Sequence, residues 1–186
     1  IFDTDENLLL SSGTASGKTE AAFLPVLTQL WENPSASVGV LYLSPLKALI
    51  NDQFERLEGL LEEAAIPVTK WHGDASAAAK KRVMKRPQGV IQTTPESLES
   101  MLMHNSSGAY RLFSDLRFII IDEMHYFMDN DRGLQLLCLL ERLARLIGYH
   151  PRRIGLSATL GDCTSAVQWL NTDSGRDCIV PKCHEK

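Results

Sequence analysis

No stretch of this sequence approaches the roughly 18 unbroken apolar residues of a membrane-spanning helix, because Lys, Asp or Glu interrupts each long hydrophobic run. Positive charge is also not in surplus. Nineteen Lys+Arg stand against 23 Asp+Glu, a formal −4 at pH 7, which excludes a histone-like or tail-type polycation. Any polyanion must therefore be met by a local patch. Cysteine is sparse: Cys138, Cys163, Cys178 and Cys183 are irregularly spaced, so no disulfide scaffold is implied. Cys178, Cys183 and His184 form a single C-x4-C-H, whereas a structural zinc site wants four ligands in paired short spacings. The segment is read as a tail rather than a metal site. The opening residues IFDTDEN lack the basic region of a signal peptide, so the chain is expected in the cytoplasm and as a piece of something longer. Without such a signal, Asn105-Ser106-Ser107 is a chance match to the glycosylation pattern. Internal repeats and low-complexity linkers are missing too. What remains, 186 residues, suits one domain that buries about 70% of its unfolded surface.

Short apolar runs alternate with helical stretches. Strands are expected at Asn7–Ser12, Val38–Leu43, Val68–Trp71, Gly89–Thr93, Phe118–Ile121 and Ile154–Ser157. Helical spacing runs from Lys18 to Trp31 with Pro25 inside it, from Lys47 to Ala64, from about Leu134 onward with Glu141 and Arg145 as an i,i+4 pair, and from about Cys163 to Leu170. Repeated strand–helix–strand units predict an α/β fold, a parallel sheet with helices on both faces. Ligands of such sheets lie beyond the carboxyl ends of the strands. Chemistry is thus expected just after Ser12, Leu43, Trp71, Thr93, Ile121 and Leu156.

After the first strand comes Ser12-Gly13-Thr14-Ala15-Ser16-Gly17-Lys18-Thr19. Small residues let backbone N–H groups curl around phosphate oxygens at a helix N-terminus, where the dipole favours negative charge. In this arrangement Gly13 to Thr19 bind the nucleotide, Lys18 reaches the β- and γ-phosphates, and the Thr19 hydroxyl ligates Mg²⁺. After the most apolar strand, FIII, comes Asp122-Glu123-Met124-His125. Asp122 suits Mg²⁺ held through water, and Glu123 suits orienting or deprotonating an attacking water. A helix N-terminus also favours acids, but that alone does not explain acids after the most buried strand.

The tetrapeptide DEMH, with GTASGKT upstream and Ser157-Ala158-Thr159 downstream, resembles the superfamily 2 helicases of DExH type, in which these are motifs I, II and III of the first of two RecA-like domains. Leu43-Ser44-Pro45-Leu46-Lys47-Ala48-Leu49 resembles motif Ia, Thr93-Thr94-Pro95-Glu96-Ser97-Leu98 resembles motif Ib, and Gly73 within WHGDAS falls where a nucleic-acid-contacting Gly segment is expected. The wording is most similar to the large helicase-related group. Ser12 and Ala15 depart from the usual glycines of motif I. The resemblance implies a helicase or translocase that uses ATP and Mg²⁺ on a single strand, DNA in preference to RNA. Lys18, Asp122 and Glu123 would carry the catalysis. Pro45, Lys47, Gly73, Thr94 and Pro95 would contact the strand, and His125, Ser157 and Thr159 would couple the two sites. Backbone N–H groups and hydroxyls then grip phosphates without reading sequence.

The basic run Lys80-Lys81-Arg82-Val83-Met84-Lys85-Arg86 is read as a solvated helix face. Residues 1–172 are expected to form the ATP-binding domain, and 173–186 a tail or the start of a linker to a second RecA-like domain. Neither an adenine-reading Gln segment before Asn7 nor the second domain's arginines are seen, so these 186 residues alone are expected to hydrolyse nucleotide poorly.

Overall fold

The computed structural model describes residues 4–13, 17–50, 59, 61, 64–158, 160 and 162–181. Among the described residues, seven strands form one sheet: β1 (Asn7–Ser11), β2 (Val40–Leu43), β3 (Val68–Trp71), β4 (Val90–Thr93), β5 (Phe118–Ile121), β6 (Arg152–Ser157) and β7 (Cys178–Ile179). Their order is β3-β4-β2-β5-β6-β1-β7, and every described pairing is parallel. The described helices are α1 (Lys18–Glu32), α2 (Ala77–Lys85), α3 (Pro95–His104), α4 (Ser106–Phe113), α5 (Asp131–Ile147) and α6 (Thr164–Asn171), with a 3₁₀ turn at Met124–Tyr126. Of the helix expected from Lys47 to Ala64, residues 47–50, 59 and 61 are helical and most of the rest lies outside the described residues.

The strands are short and apolar because both faces are covered. Alternate residues feed two cores. Leu8, Val40, Tyr42, Phe118, Ile120 and Ile154 pack with Phe23, Val26 and Leu30 of α1. Leu9, Leu41, Leu43, Ile119 and Ile121 face the other way, onto Leu98 of α3, Phe113 of α4, Leu136 and Leu140 of α5, and Leu170 of α6. In α5 the Glu141–Arg145 pair closes at 2.7 Å, and Asn105, the chance glycosylation match, caps α4 by accepting from Gly108 N at 3.0 Å.

Two departures from the sequence pattern have physical causes. The last long strand begins at Arg152 rather than Ile154, because its arginines bond to carbonyls instead of entering water. Arg153 donates to Leu170 O at 3.1 Å and to Thr172 O at 2.7 Å, closing the end of α6, and burial pulls its guanidinium down to about 10. The segment expected as a tail supplies β7, which pairs with the outer side of β1. Buried Asn7 fixes that edge, donating to Asn171 Oδ1 and Ser174 Oγ and accepting from Arg153 N. Cys178 is half-buried in β7 and burial pushes its thiol up to about 11; Cys183 and His184 lie outside the described residues.

Candidate nucleotide and nucleic-acid sites

The strand order sorts the loops at the carboxyl edge into two groups. β5, β6 and β1 are neighbours, so the segments after Ile121, Ser157 and Ser11 meet. β2, β4 and β3 are neighbours on the other half, so the segments after Leu43, Thr93 and Trp71 meet.

In the first group Gly17 takes a left-handed conformation (φ 77°) immediately before α1, where any side chain would be strained. Lys18 follows as the first helical residue. Its ammonium turns back over the loop, donating to Ser12 O at 2.5 Å and Gly13 O at 2.8 Å. Thr19 is buried in the first turn. Thr14, Ala15 and Ser16 lie outside the described residues.

Asp122 is 4% exposed. Its Oδ2 accepts from the Tyr42 hydroxyl and its Oδ1 from Glu123 N at 2.9 Å. Burial holds its carboxyl above the usual range, aided by Glu123 and opposed by the Tyr42 bond and the Lys18 charge. Glu123 is left-handed (φ 46°, ψ 47°), an unusual state for a residue with a Cβ, of the kind that collects at functional sites. His125 Nδ1 stands 3.4 Å from Glu123 Oε2, 3.4 Å from Ser157 Oγ and 3.5 Å from Ala158 N. The imidazole thus bridges the acidic pair and the end of β6. Thr159 lies outside the described residues.

Sequence reasoning missed two members of this group. Tyr42 is fully buried in β2, and a buried phenol needs a polar partner; that was the available signal, though it does not name Asp122. Ser11 donates to Ala158 O at 3.1 Å and accepts from Leu160 N at 3.0 Å, tying β1 to the segment after β6.

In the second group Pro45, Lys47, Gly73 and Thr94 line one cavity of about 570 Å³ together with Trp71, His72 and Lys80. Lys47 pairs with Asp74 at 3.0 Å. A Cβ on Gly73 would meet only Lys47 Nζ, at 3.5 Å, so the fold itself does not require a glycine there. Thr94 caps α3, its hydroxyl accepting from Ser97 N at 3.4 Å. Pro95 is buried as the first residue of that helix and is not among the residues lining the cavity. Lys80, read as part of a solvated face, instead enters the cavity. It donates to His72 O at 2.5 Å and lies 5.7 Å over the Trp71 ring. The cause is its place in the first turns of α2, which Ser76 caps beside β3. His72 is buried, and neither ring nitrogen has a hydrogen-bond partner among the described residues.

Comparison with known proteins bears on both groups. The ATP-dependent helicase Lhr-Core of Methanocaldococcus jannaschii is 36% identical over 94% of this chain, which spans 22% of that protein. The structure of Mycobacterium smegmatis helicase Lhr bound to ssDNA and AMP-PNP superposes with a TM-score of 0.77 at 32% identity, over 95% of this chain and 24% of that one. The structure of DUF1998 helicase MrfA bound to DNA and AMPPNP does so with a TM-score of 0.81 at 28% identity, over 95% and 25%. The chain thus spans about a quarter or less of the proteins it matches. No described helix is long and apolar enough to cross a membrane. Residues 1–166 match the DEAD/DEAH box helicase family, and the chain, a parallel-sheet RecA-like domain, belongs to that family.

Proposed function

We propose that this chain is the ATP-binding motor domain of a DExH-type helicase or translocase, with ATP-Mg²⁺ at the β1–β6–β5 end and the backbone of a single strand at the β2–β4–β3 end. One observation carries the reading. The strand order brings the segments that carry Lys18, the Asp122–Glu123 pair and Ser157 together at the carboxyl ends of the adjacent strands β1, β5 and β6, and the Pro45, Gly73 and Thr94 segments together at the ends of β2, β3 and β4. The left-handed Gly17 turn opens α1 toward a phosphate. Lys18 exchanges its loop carbonyls for phosphate oxygens, and Glu123 orients the attacking water.

The donors suit Mg²⁺: a carboxylate on Asp122 and a hydroxyl on Thr19 are hard oxygen ligands, and a cation would relieve the buried Asp122 charge. Such an ion would complete its shell with phosphate oxygens and water. When bound, the ion would neutralise charge on the transferring phosphoryl group. His125, with Ser157 and Thr159, links nucleotide state to nucleic-acid grip. At the other end Lys47 supplies charge, Pro45 and Pro95 set the backbone, Thr94 offers a hydroxyl, and bare Gly73 lets a phosphate approach the main chain.

A DNA strand is the preferred partner because the MrfA and Lhr structures hold DNA. A second RecA-like domain elsewhere in the full-length protein supplies the opposing face of the nucleotide cleft. ATP hydrolysis by the full-length protein, alone and with single-stranded DNA or RNA, tests all of this. Stimulation by DNA above that by RNA is expected. Turnover indifferent to both would reduce the domain to a nucleotide switch, and no turnover would reduce it to a scaffold.

A further inference from the structure

Arg132 sits one residue inside α5, between the acidic turn and the groove. Its guanidinium meets three separate segments. Nη2 donates to Pro45 O at 2.5 Å. Nε donates to Glu96 Oε1 at 2.8 Å, and Nη2 lies 2.7 Å from the same oxygen. The group also lies 5.4 Å over the Phe127 ring. Pro45 follows β2, Glu96 stands in the first turn of α3 beside Thr94 and Pro95, and Phe127 closes the 3₁₀ turn that begins two residues after Asp122.

The connection from Arg132 back to the acidic turn is stiff. Asn130 caps α5 by accepting from Gly133 N at 3.0 Å, while its Nδ2 donates to Tyr126 O at 3.0 Å and Met128 O at 2.9 Å. Gly133 presses so closely on the turn that a Cβ there would stand 1.6 Å from Phe127 O. Phe127 and Met124 are fully buried. The first turn of α5 therefore moves with residues 122–127 as one piece, and Arg132 extends that piece to both groove loops. A planar fork serves a carbonyl, a carboxylate and a ring face together, which an ammonium cannot do.

We propose that Arg132 is a positioning residue that couples the acidic turn to the nucleic-acid groove. A shift of the turn at Asp122–Phe127 displaces Arg132, and with it the Pro45 carbonyl and Glu96, so grip on the strand follows nucleotide state through this side chain. Arg132 is not among the residues lining the groove cavity. The inference rests on the motor reading above.

The test uses the full-length protein and follows ATP turnover against rising single-stranded DNA, for the unmutated protein, Arg132→Ala, Arg132→Lys, Glu96→Ala and the Arg132→Ala/Glu96→Ala pair. Arg132→Ala should leave DNA-free turnover and the thermal midpoint essentially unchanged and raise the half-stimulating DNA concentration by about tenfold, within the usual range of coupling between sites. Arg132→Lys should recover part of that loss, and the double variant should be no worse than Arg132→Ala. Normal stimulation in Arg132→Ala overturns the inference, as does an equal loss of DNA-free and DNA-stimulated turnover, the mark of a merely structural role. Should Arg132→Ala fail to fold, full stimulation in Arg132→Lys overturns it. If DNA and RNA leave the unmutated protein unstimulated, the motor reading itself falls and takes the inference with it; that failure shows before any substitution is made.

Discussion

At the β1–β6–β5 end the charged groups are buried or half-buried and held by hydrogen bonds; at the β2–β4–β3 end the Lys47–Asp74 pair is open to water. Asp122 is 4% exposed and accepts two hydrogen bonds, whereas the side chains of the Lys47–Asp74 pair are 51% and 77% exposed. A buried charge acts at low local dielectric and in one direction, so it is strong and costly to leave unanswered. An exposed charge is screened and free to exchange partners. The first arrangement suits holding a phosphoryl group in place, and the second suits gripping and releasing a backbone. The same contrast explains why His125 contacts Glu123, Ser157 and Ala158 within one tight cluster, while the groove spreads its contacts over three loops.

The sharpest way to break this contrast is Lys18→Ala. If Lys18 belongs to the buried, directional end, its loss should lower ATP turnover by about 10²–10³-fold or more, the scale on which a fixed charge donor acts. The fold should survive, because among the described residues the ammonium bonds to loop carbonyls rather than to core groups. Circular dichroism and a turnover assay decide the matter, and robust hydrolysis in the variant would remove Lys18 from the site. Asp122→Asn should also abolish turnover, yet it should stabilise the protein. Asp122 has its carboxyl raised by burial, so its ionised form opposes folding: that cost is absent below the unfolded pKa and grows as pH rises through the folded one. At neutral pH without metal, the amide should lift the thermal midpoint by about 2–4 °C, the shift that about 1 kcal/mol produces in a domain of this size. A lower midpoint would mean that the carboxylate is answered within the protein.

Much of the buried end was legible in the sequence. The strand FIII, fully buried on both faces, and the acids that follow it read directly from composition, as did the Gly17-Lys18-Thr19 turn. The partners were not legible. Tyr42 meets Asp122 because β2 and β5 are adjacent with Tyr42 level with Ile120, a fact of strand order that no local pattern states. Arg132 was hidden for a similar reason, since its targets lie 36 and 87 residues away. The start of the last long strand was not legible either: the apolar run begins at Ile154, and Arg152 and Arg153 join the strand because carbonyls from the end of α6 and the chain's first residues are brought to them. The open groove was legible as motifs, but Lys80 looked like one of several equivalent surface lysines. Only the seating of α2 against β3 singles it out.

A smaller effect sharpens the open end. Lys47→Ala in the full-length protein should weaken single-stranded DNA binding by a few-fold and reduce the dependence of log affinity on log salt by about one unit, as expected for one phosphate contact. The loss should be similar for all sequences. Asp74 competes for the same ammonium at 3.0 Å, so Asp74→Asn should shift affinity in the opposite direction. An unchanged salt slope in Lys47→Ala would leave Lys47 as a partner of Asp74 alone.

The smallest expected effect lies at His72, where the two arrangements meet: a buried group in the open groove. Burial lowers its pKa from the ordinary 6.5, Asp74 opposes this, and Lys47, Lys80 and Lys70 reinforce it. The folded protein therefore stays unprotonated at a pH where the unfolded chain takes up a proton. His72 contributes stability that is complete above pH 6.5 and is lost as pH falls toward the folded value. Acidification from pH 7.5 to 5.5 should lower the thermal midpoint, and His72→Gln should remove a small part, about 1–2 °C, of that decline. A bound strand reverses the sign. Its phosphates favour the imidazolium, so binding takes up a proton and DNA affinity should rise as pH falls through the same window, weakly in His72→Gln and more strongly in the unmutated protein. Equal pH dependence of affinity in the two proteins would mean that no phosphate approaches His72, and the strand would then have to follow Lys47 and Thr94 along the outer side of the cavity.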